Sequence, residues 1–122
     1  MFTIDPTLDM LSRGLDACAL RQAVYASNIA NSETPGYQPL EVEFEKQLQQ
    51  AAELTSGSSW ARQAEILRGI EPTIVASTAD SVKLDQQMGL MAKNAVHYQQ
   101  LLGAFERSIS LLRLATLEGR EG

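Results

Sequence analysis

The chain contains one histidine, His97, and one cysteine, Cys18, and these are the first residues to ask for chemistry. A lone imidazole needs Cys or carboxylate partners nearby to hold a metal. His97 falls two residues after a position of the apolar stripe in the last helix, on the opposite face, and is expected to be solvated. Cys18 falls on an apolar stripe, where a thiol packs as a small apolar side chain. A single cysteine excludes an internal disulfide and any multi-thiolate metal site. Two acidic groups remain: Asp5, Asp9 and Asp16, and Glu41, Glu43 and Glu45. They read as solvated faces of their elements, with Asp9 and Arg13 an i, i+4 pair of the helix-surface kind. No G-x-S-x-G, Gly-rich phosphate loop or H-E-x-x-H occurs. The reading is no enzyme: no catalytic residues, no cofactor, no metal and no small-molecule substrate.

Composition narrows the alternatives. The 122 residues suit one domain, 1–122. A formal net charge of -5, with the basic residues scattered, argues against nucleic acid, which requires a basic patch. The hydrophobic fraction of 44% is that of a folded chain. The segment from Met1 to Asp9 lacks the basic and apolar regions of a cleaved signal peptide. No run reaches the roughly 18 apolar residues of a membrane span. Both a cytoplasmic protein and one exported without a cleaved signal fit these features.

The elements that carry these residues are helical. Residues 5–33 hold the first long helix, with Asp5 as N-cap and Pro6 as a first helical residue. Leu8, Leu11, Leu15, Cys18, Tyr25 and Ile29 form one stripe at alternating spacings of three and four, with Gln22 its polar interruption. Thr34-Pro35-Gly36-Tyr37 ends it: Pro35 pushes Thr34 out of the helical region, and Gly36 suits the positive φ of a type II turn. Residues 34–80 are this turn and a mixed middle segment. It has an extended start at Leu40 and Val42, a short helix to Leu54, a small polar linker at 55–59, a second short helix at 60–67 and a strand at Thr73–Ala76. Residues 81–118 form the longer helix, capped by Asp80 or Ser81 and stopped by Gly119. Leu84, Met88, Met91, Ala95, Tyr98, Leu102, Phe105, Ile109, Leu112 and Thr116 keep heptad spacing along it. The fold class is therefore all-α: long antiparallel N- and C-terminal helices with an irregular middle segment.

A two-helix hairpin buries one stripe per helix, and this chain has more apolar residues than that. Leu90, Leu101, Leu111, Leu114 and Leu117 lie off the seam of the last helix, and Met10, Leu20 and Val24 off that of the first. Each buried Leu or Met is worth about 1.5–3 kcal/mol, so either the middle segment folds back over this set or a partner does.

Residues 26–37 read Ala-Ser-Asn-Ile-Ala-Asn-Ser-Glu-Thr-Pro-Gly-Tyr. This resembles the signature of the bacterial flagellar rod and hook proteins, A-x-N-I-A-N-x-x-T-P-G-Y, carried here by Asn28, Ile29, Ala30, Asn31, Thr34, Pro35, Gly36 and Tyr37. Upstream, Leu20-Arg21-Gln22 continue the likeness, and Val82-Lys83-Leu84-Asp85-Gln86-Gln87-Met88, Asn94 and Tyr98-Gln99 resume it. The layout is similar to that of basal-body rod proteins of the proximal kind. The resemblance implies a structural subunit of the periplasm-spanning rod, a tubular drive shaft for motility. It implies export through the flagellar type III apparatus without a cleaved signal. It implies as partners the chain itself, other rod proteins, and membrane-ring or export-gate components at the rod base. A cytoplasmic helical adaptor or export chaperone would share the acidic charge and the exposed apolar face but would not need the T-P-G-Y turn. On the residues themselves, Asn28 and Asn31 suit a helix end, where amides bond free backbone groups. Tyr37 covers the turn with its ring and leaves its hydroxyl wet.

Overall fold

The structure is a computed structural model that describes residues 6–121, without the side chains of Pro6 and Glu121. Asp5 as a cap lies outside the described residues. The elements are helix α1 (Pro6–Ala30), strand β1 (Leu40–Glu43), helices α2 (Glu45–Leu54) and α3 (Trp60–Arg68), strand β2 (Thr73–Ala76) and helix α4 (Leu84–Glu121). The expected plan of long helix, mixed middle and longer helix is the one observed.

α4 has 38 residues, about 57 Å at 1.5 Å per residue. It lies antiparallel on α1, and four contacts fix the register. Leu101 sits over Gly14, Asn94 bonds Cys18 and Gln22, His97 reaches Cys18, and Gln87 bonds Asn28. As one number climbs the other falls. The seam on α4 thus runs through Gln87, Asn94 and Leu101. The heptad read from the sequence is rotated from it by a fraction of a turn. Leu84 and Met88, on the expected seam, are 45% and 58% exposed, whereas Leu101, expected off the seam, packs against α1. The reason is that polar and small residues, Asn94 and Gly14, occupy central contact positions that a pattern of apolar residues alone does not reveal.

The middle segment also packs on α1. β1 and β2 pair antiparallel, with Leu40 opposite Ala76, Val42 opposite Ile74 and Glu43 opposite Thr73. Both β1 and α3 contact α1. α1 is therefore shared, in contact with both α4 and the middle segment. That is why Val24, off its expected stripe, is buried. Three ion pairs tie the middle segment down: Arg21 to Glu45, Arg13 to Glu71, and Arg68 to Asp9. They correct the expected Asp9–Arg13 pair, since each partner finds an opposite charge across the layers instead.

The first helix ends at Ala30, short of the expected 33, and both ends of α4 differ from expectation. α4 starts at Leu84, so neither Asp80 nor Ser81 stands at its cap. Gly119 lies within the helix, and its φ is not positive, so it forms no left-handed stop. The segment expected as a loose linker is ordered. Thr55 is buried, its hydroxyl donates to Ala51 O at 2.7 Å, and Ser58 N donates to Thr55 O at 2.9 Å.

Candidate functional site

The motif residues meet at the end of α1 and build a lock around one side chain. Asn28 is 0% exposed. Its amide nitrogen donates to Leu40 O at 2.9 Å and to Gln87 Oε1 at 3.0 Å. Its Oδ1 accepts from Leu40 N at 3.0 Å and from the Tyr37 hydroxyl at 2.9 Å. The carboxamide thus pairs with one residue of β1 as a neighbouring strand would, and with α4 on its free donor. Asn28 was expected to satisfy free groups of its own helix end. Instead it joins three elements, and full burial makes each of these bonds costly to lose. The Tyr37 hydroxyl, expected to be wet, is taken by Asn28 and lies 3.3 Å from Ser27 Oγ.

The helix stop follows the type II pattern. Asn31 ends α1, its side chain donating to Ser27 O at 2.9 Å, and Thr34 donates through its hydroxyl to Asn31 Oδ1 at 3.2 Å. Tyr37 N then donates to Thr34 O at 3.2 Å across Pro35 and Gly36. Gly36 has φ +75°, the left-handed value that the turn requires at that position. Ile29 is half-buried and Ala30 exposed at the helix end. Beyond the turn, Pro39 is fully buried, its carbonyl accepts from Ser77 N at 2.8 Å, and Gln38 Nε2 reaches Ser77 O at 3.0 Å.

Along the hairpin a second amide, Asn94, is buried and donates at 2.8 Å to both Cys18 O and Gln22 Oε1. His97 is exposed, as expected, and its Nδ1 lies 3.7 Å from Cys18 Sγ. Sequence pattern missed that contact because the seam is rotated. Burial pushes the Cys18 thiol up from its ordinary value, against the pull of Arg21. That leaves it protonated and a poor nucleophile. The Arg21–Glu45 pair raises the arginine and holds the Glu45 carboxyl below the usual carboxylate range. Among the described residues no group of three or more His, Cys, Asp or Glu could hold a metal, and no helix is long and apolar enough to cross a membrane.

The off-seam leucines of α4 divide. Leu101 faces α1, and Leu90 is half-buried beside Tyr25. Leu111, Leu114 and Leu117 are 67%, 56% and 55% exposed. Carried along the hairpin, the register sets Pro6 opposite the turn around Ile109. The helix from Ser110 to Glu121 runs past the first described residue of α1 by about 18 Å. Along it Leu112 and Leu117, with Ile109 just before it, line a shallow depression with Arg113 and Arg120. The site is therefore a rigid motif lock at one end and an apolar helical extension at the other.

Comparison with known proteins agrees with the motif. The family model described as "Flagella basal body rod protein" matches residues 8–38, which are nearly all of α1 and the turn. The flagellar basal body rod protein FlgB of Escherichia coli (strain K12) is 29% identical over 87% of this chain and 89% of its own length. That of Bacillus subtilis (strain 168) is 26% identical over 93% of this chain and 95% of its own. The one from Borrelia hermsii is 41% identical over a shorter stretch, 42% of this chain and 38% of its own. With the lock around Asn28, the type II turn at Gly36 and two long antiparallel helices in place, the chain is similar to the flagellar basal body rod proteins and is FlgB-like.

Proposed function

We propose that this structural protein of the flagellar basal body rod is a subunit of the proximal rod, assembling through the free end of α4. The observation that carries the reading is the extension past Ile109, where Leu111, Leu114 and Leu117 remain exposed on an otherwise continuous helix. A contiguous exposed apolar face on a long helix is the mark of a surface meant for another protein. Here the hairpin seam closes the subunit and the free face binds neighbours. The partners are further copies of the chain, other rod proteins, and the membrane-ring or export-gate components at the rod base. The chain reaches them by the flagellar type III export apparatus, without a cleaved signal. The motif lock has a supporting role: it sets the angle at which the middle segment leaves α1, so that the rod-facing helices emerge in one orientation.

The test is fractionation. An epitope-tagged chain is expected in purified basal bodies, with its N-terminal residues uncleaved by mass spectrometry. Recovery only in the cytosol, bound to export substrates, would instead make it a helical adaptor.

A further inference from the structure

Trp60, the only tryptophan of the chain, is 73% exposed, and Leu54, across the same corner, is 87% exposed. The corner between α2 and α3 is held by hydrogen bonds. Besides the Thr55 and Ser58 bonds, Gln63 Nε2 donates to Thr55 O at 2.8 Å and the Ser59 hydroxyl accepts from Arg62 N at 3.3 Å. A large apolar side chain on a fixed backbone loses little further entropy when covered, and tryptophan is prominent among the anchors that dominate binding energy. Glu53 and Glu65 flank this tip, with Arg62 the one basic residue between them, so the tip is acidic overall.

A complementary surface exists on the same chain. A groove of about 690 Å³ between α1 and α4 is lined by Arg21, Tyr25, Leu90, Lys93, Val96 and His97, among others. Its apolar part includes Val96, which is 55% exposed. No carboxylate lines it, and with Arg21 already paired to Glu45 the lining cation that meets an incoming carboxylate is Lys93. An acidic apolar knob suits such a site: a cation against an indole face is attractive, and a carboxylate beside Lys93 adds an ion pair. With Trp60 so exposed, the tip does not fill the groove of its own chain.

We propose that the α2–α3 tip of one copy docks into the α1/α4 groove of the next copy. Knob and groove are different patches, so the contact is heterologous and propagates from copy to copy instead of closing a symmetric pair. The inference rests on the rod reading above and names a lateral contact within it.

The experiment places Ser56→Cys on the tip and Gln100→Cys beside the groove, in a Cys18→Ser chain, and treats purified basal bodies with a bifunctional maleimide. The expected product is a ladder of cross-linked copies that neither single cysteine gives. Lys93→Glu should weaken the ladder and Glu53→Lys in the same chain should restore it. If basal bodies contain the doubly substituted chain and yield only monomer, or a cross-link to a different protein, the docking is wrong and the rod reading stands. If the unsubstituted chain is absent from basal bodies, the rod reading fails and this contact with it. Should the cysteine pair itself prevent incorporation, the purified parent chain decides. Its Trp60 emission should shift to the blue on concentration, and not in Lys93→Glu; emission that stays put overturns the docking.

Discussion

Asn28 and Leu40 exchange two hydrogen bonds, one in each direction, at 2.9 and 3.0 Å, across the turn that separates α1 from β1. The side chain of a helix thereby does the work of a strand's backbone. Its two other bonds, to Tyr37 and Gln87, bring the turn and α4 to the same point.

Removing that side chain should be costly. Asn28→Ala leaves the Leu40 amide and carbonyl without a buried partner and the Tyr37 hydroxyl with Ser27 Oγ alone, which is worth about 2–4 kcal/mol in all. Asn28→Asp keeps the acceptor and loses both donors, placing a carboxylate oxygen against Leu40 O and Gln87 Oε1. Both variants should lower the urea midpoint of unfolding. A loss below about 0.5 kcal/mol for Asn28→Ala would mean that the lock does not hold the fold.

Gly36 tests the turn. A Cβ there meets nothing within 4 Å, so any penalty comes from its φ of +75° and not from crowding. Gly36→Val should cost about 1–2 kcal/mol, and Gly36→Asn clearly less, since asparagine tolerates the left-handed region. The Val variant should be made in cells yet fail to enter the rod; normal swimming by that strain would separate the turn from assembly. Equal stabilities of the Val and Asn variants would show that the turn relaxes.

Acid should loosen the middle segment from α1. The hydrogen bond from Arg21 depresses the Glu45 carboxyl below its ordinary value of 4.5. A depressed carboxylate contributes stability that is present above the unfolded value and is lost as pH falls through the lower folded value. Because the Glu45 side chain is 61% exposed, the effect is small, under about 1 kcal/mol. Urea midpoints at pH 6 and pH 3 should differ more for the parent chain than for Glu45→Gln. An identical pH slope in the two would remove the pair from the account.

Cys18 serves as a reporter of the hairpin. It is 1% exposed and its thiol is pushed up by burial. A thiol reagent should label it slowly in the native chain and at the rate of a free cysteine in denaturant. Fast labelling without denaturant would show that α1 and α4 separate readily.

How much of this was legible in the sequence depends on which physical signal each part leaves. The two long helices show in apolar residues repeating at helical spacing, and the turn shows in Pro35 and Gly36, whose backbone limits act locally. Leu40 and Val42 alternate, and β1 follows. The hairpin face was misjudged because Gly14, Gln87 and Asn94 lie on it, and contacts made by small or amide residues leave no hydrophobic pattern. Partners chosen across layers, such as Arg13 with Glu71 and Arg68 with Asp9, depend on the packing of elements far apart in sequence. The exposed Leu111, Leu114 and Leu117 were legible as surplus apolar residues. The fate of Val24, equally surplus, was not, because it is settled by where the middle segment lands.

The most direct test of the central claim compares two substitutions in the same helix, scored for protein level and for motility. Leu114 is 56% exposed, on the free face of the extension. Phe105 is half-buried, one turn from Leu101 on the hairpin side. A charge buried at an interface without a partner costs several kcal/mol. Leu114→Glu should therefore leave the protein level intact and abolish rod assembly and swimming. Phe105→Glu should lower the level itself, by destabilising the subunit. Swimming unchanged in Leu114→Glu would contradict the assignment of that face to contact between subunits.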